Sequence, residues 1–256
     1  MNTVMMGEMT WPDYKSRVEK GAIVLVPFGS TEQHGYHMCL GTDSLLPTAV
    51  SRAVAEQIDA IVAPAVNYGA RSQPKSGGGN HYIGTTSLSG VTLIHLVRDM
   101  IVEFARHGVR RLVLMNGHME NGPFLAEGVD VAMRELKLEG ITDMTILKLD
   151  YYEFTSEETL KIVFPDGFPG WALEHAAVFE TSLMMSLHPG MVDLSRVREE
   201  RLANFPPYDI YPADLEAIPP SGALSPAGSA SVEKGERMMK EYAALIPPAI
   251  LKAFGL

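Results

Sequence analysis

The sequence predicts an α/β fold, a layered α/β/α domain with a mostly parallel sheet. Two patterns and one bound carry this. Short, apolar, β-branched runs recur along the chain, and stretches of helical period separate them. Strands alternating with helices build parallel βαβ units. A chain of 256 residues, 46% hydrophobic and 20% charged, suffices for one large domain of this kind without covalent staples. We read residues 1–256 as that single domain.

The elements follow in order. "AIVLVPFG" (22–29) is a buried strand closed by Pro and Gly. "DSLLPTAVSRAVAEQIDA" (43–60) is a helix, with Leu46, Val50, Val54 and Ile58 on one face and Pro47 in the first turn. "AIVAPAV" (60–66) is the second strand, and a polar loop covers 67–87. A helix spans 91–107, with the stripe Leu93, Val97, Ile101 and Phe104 and with Gly108 as its stop. "RRLVLMNGH" (110–118) is a strand running into a turn. Asn121 caps the next helix, which stops at Gly140, and "MTILKLDYY" (144–152) is a further strand. The stretch 204–228 holds six prolines and several aromatics, so it reads as an ordered arm, packed on its own domain or on a neighbouring subunit. A last helix runs from about Ser231 to Ile246 and breaks at Pro247 and Pro248.

Composition narrows the function classes. The formal net charge of −10 disfavours general nucleic-acid binding, which needs a cationic face, and adhesion to anionic lipid. A single cysteine, Cys39, excludes an internal disulfide framework and fits a reducing compartment. Alone it reads as a small apolar residue, not as a nucleophile. "MNTVMMGEMTWPDYKSRV" lacks the basic start and apolar core of a signal peptide, and no apolar run spans a bilayer. These features imply a cytoplasmic protein with neither a nucleic-acid nor a membrane partner.

Ligands of open α/β sheets sit beyond the carboxyl ends of the strands. Glu32 and His34 follow the first strand, His118 and Glu120 the third, and Tyr151 and Tyr152 end the fourth. Residues two apart in extended chain point the same way, so each Glu/His pair can aim two ligands at one point. Asp43 adds a carboxylate at a helix start, and Glu180 a further one. Two imidazoles and four carboxylates suffice for two zinc or manganese ions sharing a bridging carboxylate. Each residue also has a plain structural reading: Asp43 as helix N-cap, Glu32 and His34 as solvated loop residues, His118 as a turn histidine. In "WALEHAAVFETS" (171–182), Glu180 falls roughly 140° from His175 on a continuous helix, so either the helix starts after His175 or one of the two is outside the site. "KSGGGN" (75–80) has the wrong order for a phosphate-binding loop, because Lys-Ser precedes the glycines.

"GSTEQHGYHMCLGTDSLLPTAV", "SQPKSGGGNHYIGTTSL", "RHGVRRLVLMNGHMEN" and "GWALEHAAVFETSL" resemble the creatininase family, and the likeness runs through almost the whole chain. The resemblance implies a creatininase-like α/β fold assembled as a homohexamer. It implies a dinuclear centre on Glu32, His34, Asp43, His118, Glu120 and Glu180, with Asp43 joining the ions. One ion is then zinc and the other manganese or zinc. Ser76, Met119, Tyr152, Trp171 and Glu174 fall at substrate-contacting positions. His175 becomes the proton-transfer residue, and Glu120 a ligand and catalytic group. The implied reaction is reversible addition of water to a small cyclic amide, creatinine, by a hydroxide held between the ions. Three positions depart from the family pattern: Met119 stands for Tyr, Tyr152 for Trp and Ala172 for Asp. They touch substrate selection and leave the ligand set intact. Another cyclic amide, an imidazolone-like ring, a lactone or a formamide is the alternative substrate, and a non-catalytic metal-binding protein the alternative class. Glu120 argues for the creatininase branch, since many relatives carry Gly there.

Overall fold

Every residue of strand β1 (Ile23–Phe28) is buried, so both faces of the strand are covered. That is the environment of a parallel sheet, whose crossover helices lie on both sides. In the computed structural model, which describes residues 3–256, four parallel strands follow the order β2 (Ala60–Val62), β1, β3 (Arg111–Asn116), β4 (Thr145–Asp150). Met1 and Asn2, part of the N-terminal segment read above, lie outside the described residues.

Alternation along the strands divides the interior in two. Ile23, Leu25, Val113 and Met115 enter one core; Val24, Val26, Leu112 and Leu114 enter the other. Helices α2 (Thr42–Ala55), α7 (Val178–Leu187) and α8 (Val232–Ala253) pack on the first core. Helices α1 (Trp11–Glu19), α4 (Gly90–Arg106) and α5 (Gly122–Leu138) pack on the second. The layered α/β/α expectation holds, as does the stripe Leu93, Val97, Ile101, Phe104 on α4. Two short helices, α3 (Pro74–Gly77) and α6 (Glu157–Val163), complete the set among the described residues, the first inside the stretch read as plain loop.

Several local expectations are corrected. Helix α2 begins at Thr42 with Gly41 at its cap position, so Asp43 is not the cap but lies inside the first turn. Pro47 falls in the second turn, where its missing N–H leaves the Asp43 carbonyl without the usual helical donor. The helix ends at Ala55, and Ile58 packs on the same core from beyond it. Asn121 has helical backbone angles and caps nothing; its side chain is used elsewhere. The last helix does not break at Pro247 and Pro248 but continues to Ala253. Tyr242, Ile246 and Ile250 form one buried stripe across that point, and their burial outweighs the forfeited backbone bonds. The second strand is shorter than expected, with Val66 making only an isolated bridge to Phe28.

The proline-rich arm packs on its own chain. Tyr36 donates to the carbonyl of Pro220, Tyr82 to that of Pro219, and Leu224 N–H to that of His175. Among the described residues no helix is long and apolar enough to cross a membrane.

Helices α7 and α8 meet at a glycine. A Cβ on Gly235 would sit 2.1 Å from the Ser182 carbonyl oxygen, which is backbone and cannot rotate away. Gly235→Ala is therefore expected to cost about 1–3 kcal/mol in chemical denaturation. Gly228→Ala, with no atom within 4 Å of the added carbon, should stay within about 0.5 kcal/mol of the parent.

Candidate metal centre

Two strand ends and one helix start converge on Asp43. The first turn of α2 presses against Gly29, after β1, and Gly117, after β3. A Cβ at either glycine would lie 2.4 or 2.6 Å from the Asp43 carbonyl oxygen. Only glycine allows this approach, and it buries the Asp43 carboxylate between two imidazoles. Asp43 Oδ1 lies 2.9 Å from His34 Nε2, and Oδ2 lies 3.0 Å from His118 Nδ1. Glu180 stands 3.7 Å from His34 on one side. On the other, Glu32 and Glu120 stand 3.4 and 3.5 Å from His118. Two groups of potential ligands, His34–Asp43–Glu180 and Glu32–Asp43–His118, thus share one carboxylate.

Both histidines turn their second ring nitrogen inward. His34 Nδ1 lies 3.2 Å from the Glu32 carbonyl, and His118 Nε2 lies 3.1 Å from the Ala70 carbonyl. A carbonyl only accepts, so each of those nitrogens carries a proton, and the inward nitrogen is the one that a cation would take once it has lost its own. This orientation by a backbone partner is the usual outer support of a metal-ligating histidine. Glu32 Oε2, His34 Nε2 and Asp43 Oδ2 are fully buried without a well-formed hydrogen bond. Orphaned carboxylate and imidazole atoms facing one another at such distances fit divalent cations.

His175 and Glu180 both reach the site because the helix starts after His175. Ala176 takes a left-handed φ of 54°, which breaks the chain direction before α7. The Glu180 carboxylate accepts from Ala176 N–H at 2.7 Å, and Glu174 accepts from Phe179 N–H at 3.1 Å. His175 Nε2 lies 2.9 Å from the Gln33 carbonyl, leaving Nδ1 toward Glu32 at 3.5 Å. Glu32, His34 and His175 form a third group close enough to share a cation.

Ser76, Met119, Glu120, Tyr152, Trp171, Glu174 and His175 line a pocket of about 40 Å³ over the cluster, whereas His34 lies behind it. Ser76 Oγ donates to Glu120 at 2.7 Å. Trp171 packs on Tyr152 with centroids 5.0 Å apart, and on Phe179 at 5.1 Å. Of the departures from the family pattern, Tyr152 lines this inner pocket, Ala172 lines a larger cavity beside it, and Met119 lines both.

Sequence reasoning missed two supporting residues. Gln33 Nε2 donates to the carbonyls of Gly77 and Gly222, and its Oε1 accepts from Gly35 N–H, tying three loops around His175. Asn121 accepts from Ala70 N–H and donates to the Gly29 carbonyl, so it locks the loop that holds His118. The signal for Gln33 was its place between Glu32 and His34. Cys39 is only partly buried, its Sγ 3.9 Å from Met191 Sδ and away from the cluster.

The electrostatics follow from burial and crowding. Burial opposes charging of His34 and His118, yet the surrounding carboxylates outweigh it and raise both well above the usual histidine range. Burial also pushes Glu32 up to about 8, aided by Asp43 and Glu120 and opposed by His118. Asp43 falls below the carboxylate range because the two imidazoles overcome its burial. His175 is lowered well below the histidine range by burial and by His34. Glu174 is raised well above the carboxylate range by burial and by Glu180.

Carboxylates and oriented imidazoles gathered at the carboxyl ends of a parallel sheet define a metal-dependent hydrolase. The chain belongs to the creatininase family: the family model described as creatinine amidohydrolase matches residues 7–249. It is 50% identical over 254 residues to the creatinine amidohydrolase of Pseudomonas putida, covering 98% of each chain. It is 28% identical to a mycofactocin precursor peptide peptidase of Mycobacterium tuberculosis, over 89% of this chain and 82% of that one. Solved structures of a manganese creatininase and of a mutant creatininase complexed with creatine each superpose with a TM-score of 0.97 at 50% identity, covering 99% of both chains. A Zn-Zn form of a mutant creatininase matches at 49% identity.

At pH 7 the metal-free cluster holds protons on His34, His118 and Glu32, whose folded-state pKa values are all raised. Ligation needs neutral imidazole and carboxylate, so cation uptake releases protons and tightens as pH rises. Calorimetry in buffers of different ionisation enthalpy should report about three protons released per chain, one each from His34, His118 and Glu32. A slope of zero would contradict this arrangement.

Proposed function

We propose that this protein hydrolyses creatinine to creatine, reversibly, with two divalent cations per chain. The observation that carries the proposal is the Asp43 carboxylate, whose two oxygens face imidazoles of two separate ligand groups at 2.9 and 3.0 Å. Glu32, His118, Glu120 and one Asp43 oxygen would hold one ion; His34, Glu180 and the other oxygen would hold the second. Zinc with manganese, or zinc twice, suits this donor set. When bound, such ions polarise a carbonyl oxygen and make water a nucleophile near neutral pH.

The chain's own groups supply the rest. Water adds to the ring carbonyl, the C–N bond breaks, and the ring nitrogen leaves with a proton. His175 is held neutral, its Nε2 enclosed by the Gln33 carbonyl at 2.9 Å and the Gln33 amide nitrogen at 2.8 Å, whose own hydrogens go to Gly77 and Gly222, so Nδ1, which faces Glu32, is the atom that takes and returns that proton. Glu174 is held protonated by burial beside Glu180, and its unpartnered Oε1 is available to the substrate. Ser76 fixes Glu120 through its hydroxyl. Trp171, Tyr152 and Met119 wall the pocket and limit water around a flat ring.

The chain is read as one domain carrying the arm at about 204–228, acting in the cytoplasm on a small molecule, as a homohexamer. Fully or largely exposed Ile83 (102%), Leu138 (90%) and Trp11 (76%) support burial against further copies, which native mass measurement tests.

The purified protein should contain about two divalent ions per chain and turn over creatinine. His118→Ala and Glu32→Gln should lose metal and lower kcat/KM by about 10³ or more. His175→Gln should keep the metal and lower kcat by about 10²–10⁴. Full activity of His118→Ala or Glu32→Gln would sink the assignment. Turnover of an imidazolone, lactone or formamide in preference to creatinine would move the substrate and keep the site.

A further inference from the structure

A second cavity adjoins the inner pocket. It measures about 470 Å³, against about 40 Å³ for the inner one, and Ser76 and Met119 belong to both walls. The inner space is small, so a larger group on a substrate projects outward past Met119. A further cavity of about 590 Å³, walled by Arg71, Pro123 and Phe124, also shares Ser76, Met119 and Glu120 with the inner pocket, but the arm-lined one carries the larger aromatic set, Phe205, Tyr208 and Tyr211.

The outer wall is the proline-rich arm. Tyr208, Ile210 and Tyr211 line the cavity and are 64%, 55% and 82% exposed. None of them joins an apolar core among the described residues. Unpacked aromatic and aliphatic side chains facing a cavity are a preferred surface for an apolar ligand. Ala172 faces them from the turn that carries Trp171.

Lys75 fixes the arm in place. Its Nζ donates to the carbonyls of Pro206 and Tyr208 at 2.8 and 2.6 Å and pairs with Asp209 at 2.9 Å. The next residue, Ser76, bonds to Glu120. Helix α3 therefore joins the wall of the outer cavity to the inner site, and the spacing between them is set. Lys75 is saturated by these partners. Asp209 and Asp214 together outnumber it, so the lining carries a net negative formal charge.

We propose that this cavity is an outer substrate subsite, which takes a neutral or cationic apolar group, such as a benzyl ring, carried on a nitrogen of a cyclic amide. The proposal rests on the reading of the inner pocket as the hydrolytic site. Anionic substituents are disfavoured by Asp209 and Asp214.

The test uses the metal-loaded full-length protein with creatinine, N-benzylcreatinine and its para-carboxylate. Dissociation constants are measured by calorimetry and kcat/KM by product formation. N-benzylcreatinine should bind about tenfold more tightly than creatinine, and the carboxylate should lose that gain. Ile210→Asp, and separately the more exposed Tyr211→Ser, should each cut the benzyl-to-creatinine ratio several-fold. A benzyl compound that binds no better than creatinine overturns the subsite. So does an unchanged ratio in both variants, including the case in which they alter only the oligomeric mass because a second copy covers the arm. Creatinine turnover with the benzyl compound excluded overturns the subsite and leaves the hydrolytic reading standing. A benzyl preference in binding, with no cyclic amide turned over, does the reverse.

Discussion

One carboxylate shared between two imidazoles organises this molecule. Asp43 is buried, lies about 3 Å from both His34 and His118, and belongs to two of the three ligand groups of the site. A charge so deep in protein is costly unless matched. Here the matching groups come from the ends of β1 and β3, which are neighbours in the sheet. The register of those two strands therefore decides whether the cluster forms, and the two apolar cores decide the register.

The surrounding architecture serves to hold that geometry without water. Gly29 and Gly117 let α2 press onto the strand ends. Asn121 joins the loops after β1, β2 and β3 by hydrogen bonds to Gly29, Ala70 and Asn116. Gln33 does the same for the loops that carry His175, Gly77 and Gly222. Each bond is worth about 1 kcal/mol, and most of them also satisfy a buried backbone N–H or carbonyl. The left-handed turn at Ala176 costs of order 1–3 kcal/mol and is retained where it brings His175 and Glu180 to one point.

Much of this was legible in the sequence because it is periodic or local. The strands appear as apolar runs, the α4 stripe as Leu93, Val97, Ile101 and Phe104, and the strand-end rule gathers Glu32, His34, His118 and Glu120. What was not legible depends on partners distant in sequence. Asp43 reads locally as a cap because capping rules count only nearby backbone donors. Its real neighbours include His118, 75 positions away. Asn121 misleads for the same reason, since its partners are Gly29 and Ala70. Pro247 and Pro248 signal a helix end, yet the stripe through Tyr242, Ile246 and Ile250 continues the helix by tertiary burial. The uncertainty over His175 and Glu180 was a true geometric constraint, resolved by a helix that starts at Val178.

Asp43 is proposed to join two cation sites, and anomalous diffraction recorded at the zinc and manganese edges from metal-loaded crystals tests that role most directly. Two peaks per chain are expected, about 3.5–4 Å apart, with one Asp43 oxygen against each. A single peak on the His34 or the His118 side alone, or two peaks with Asp43 bound to neither or to one of them, would contradict it.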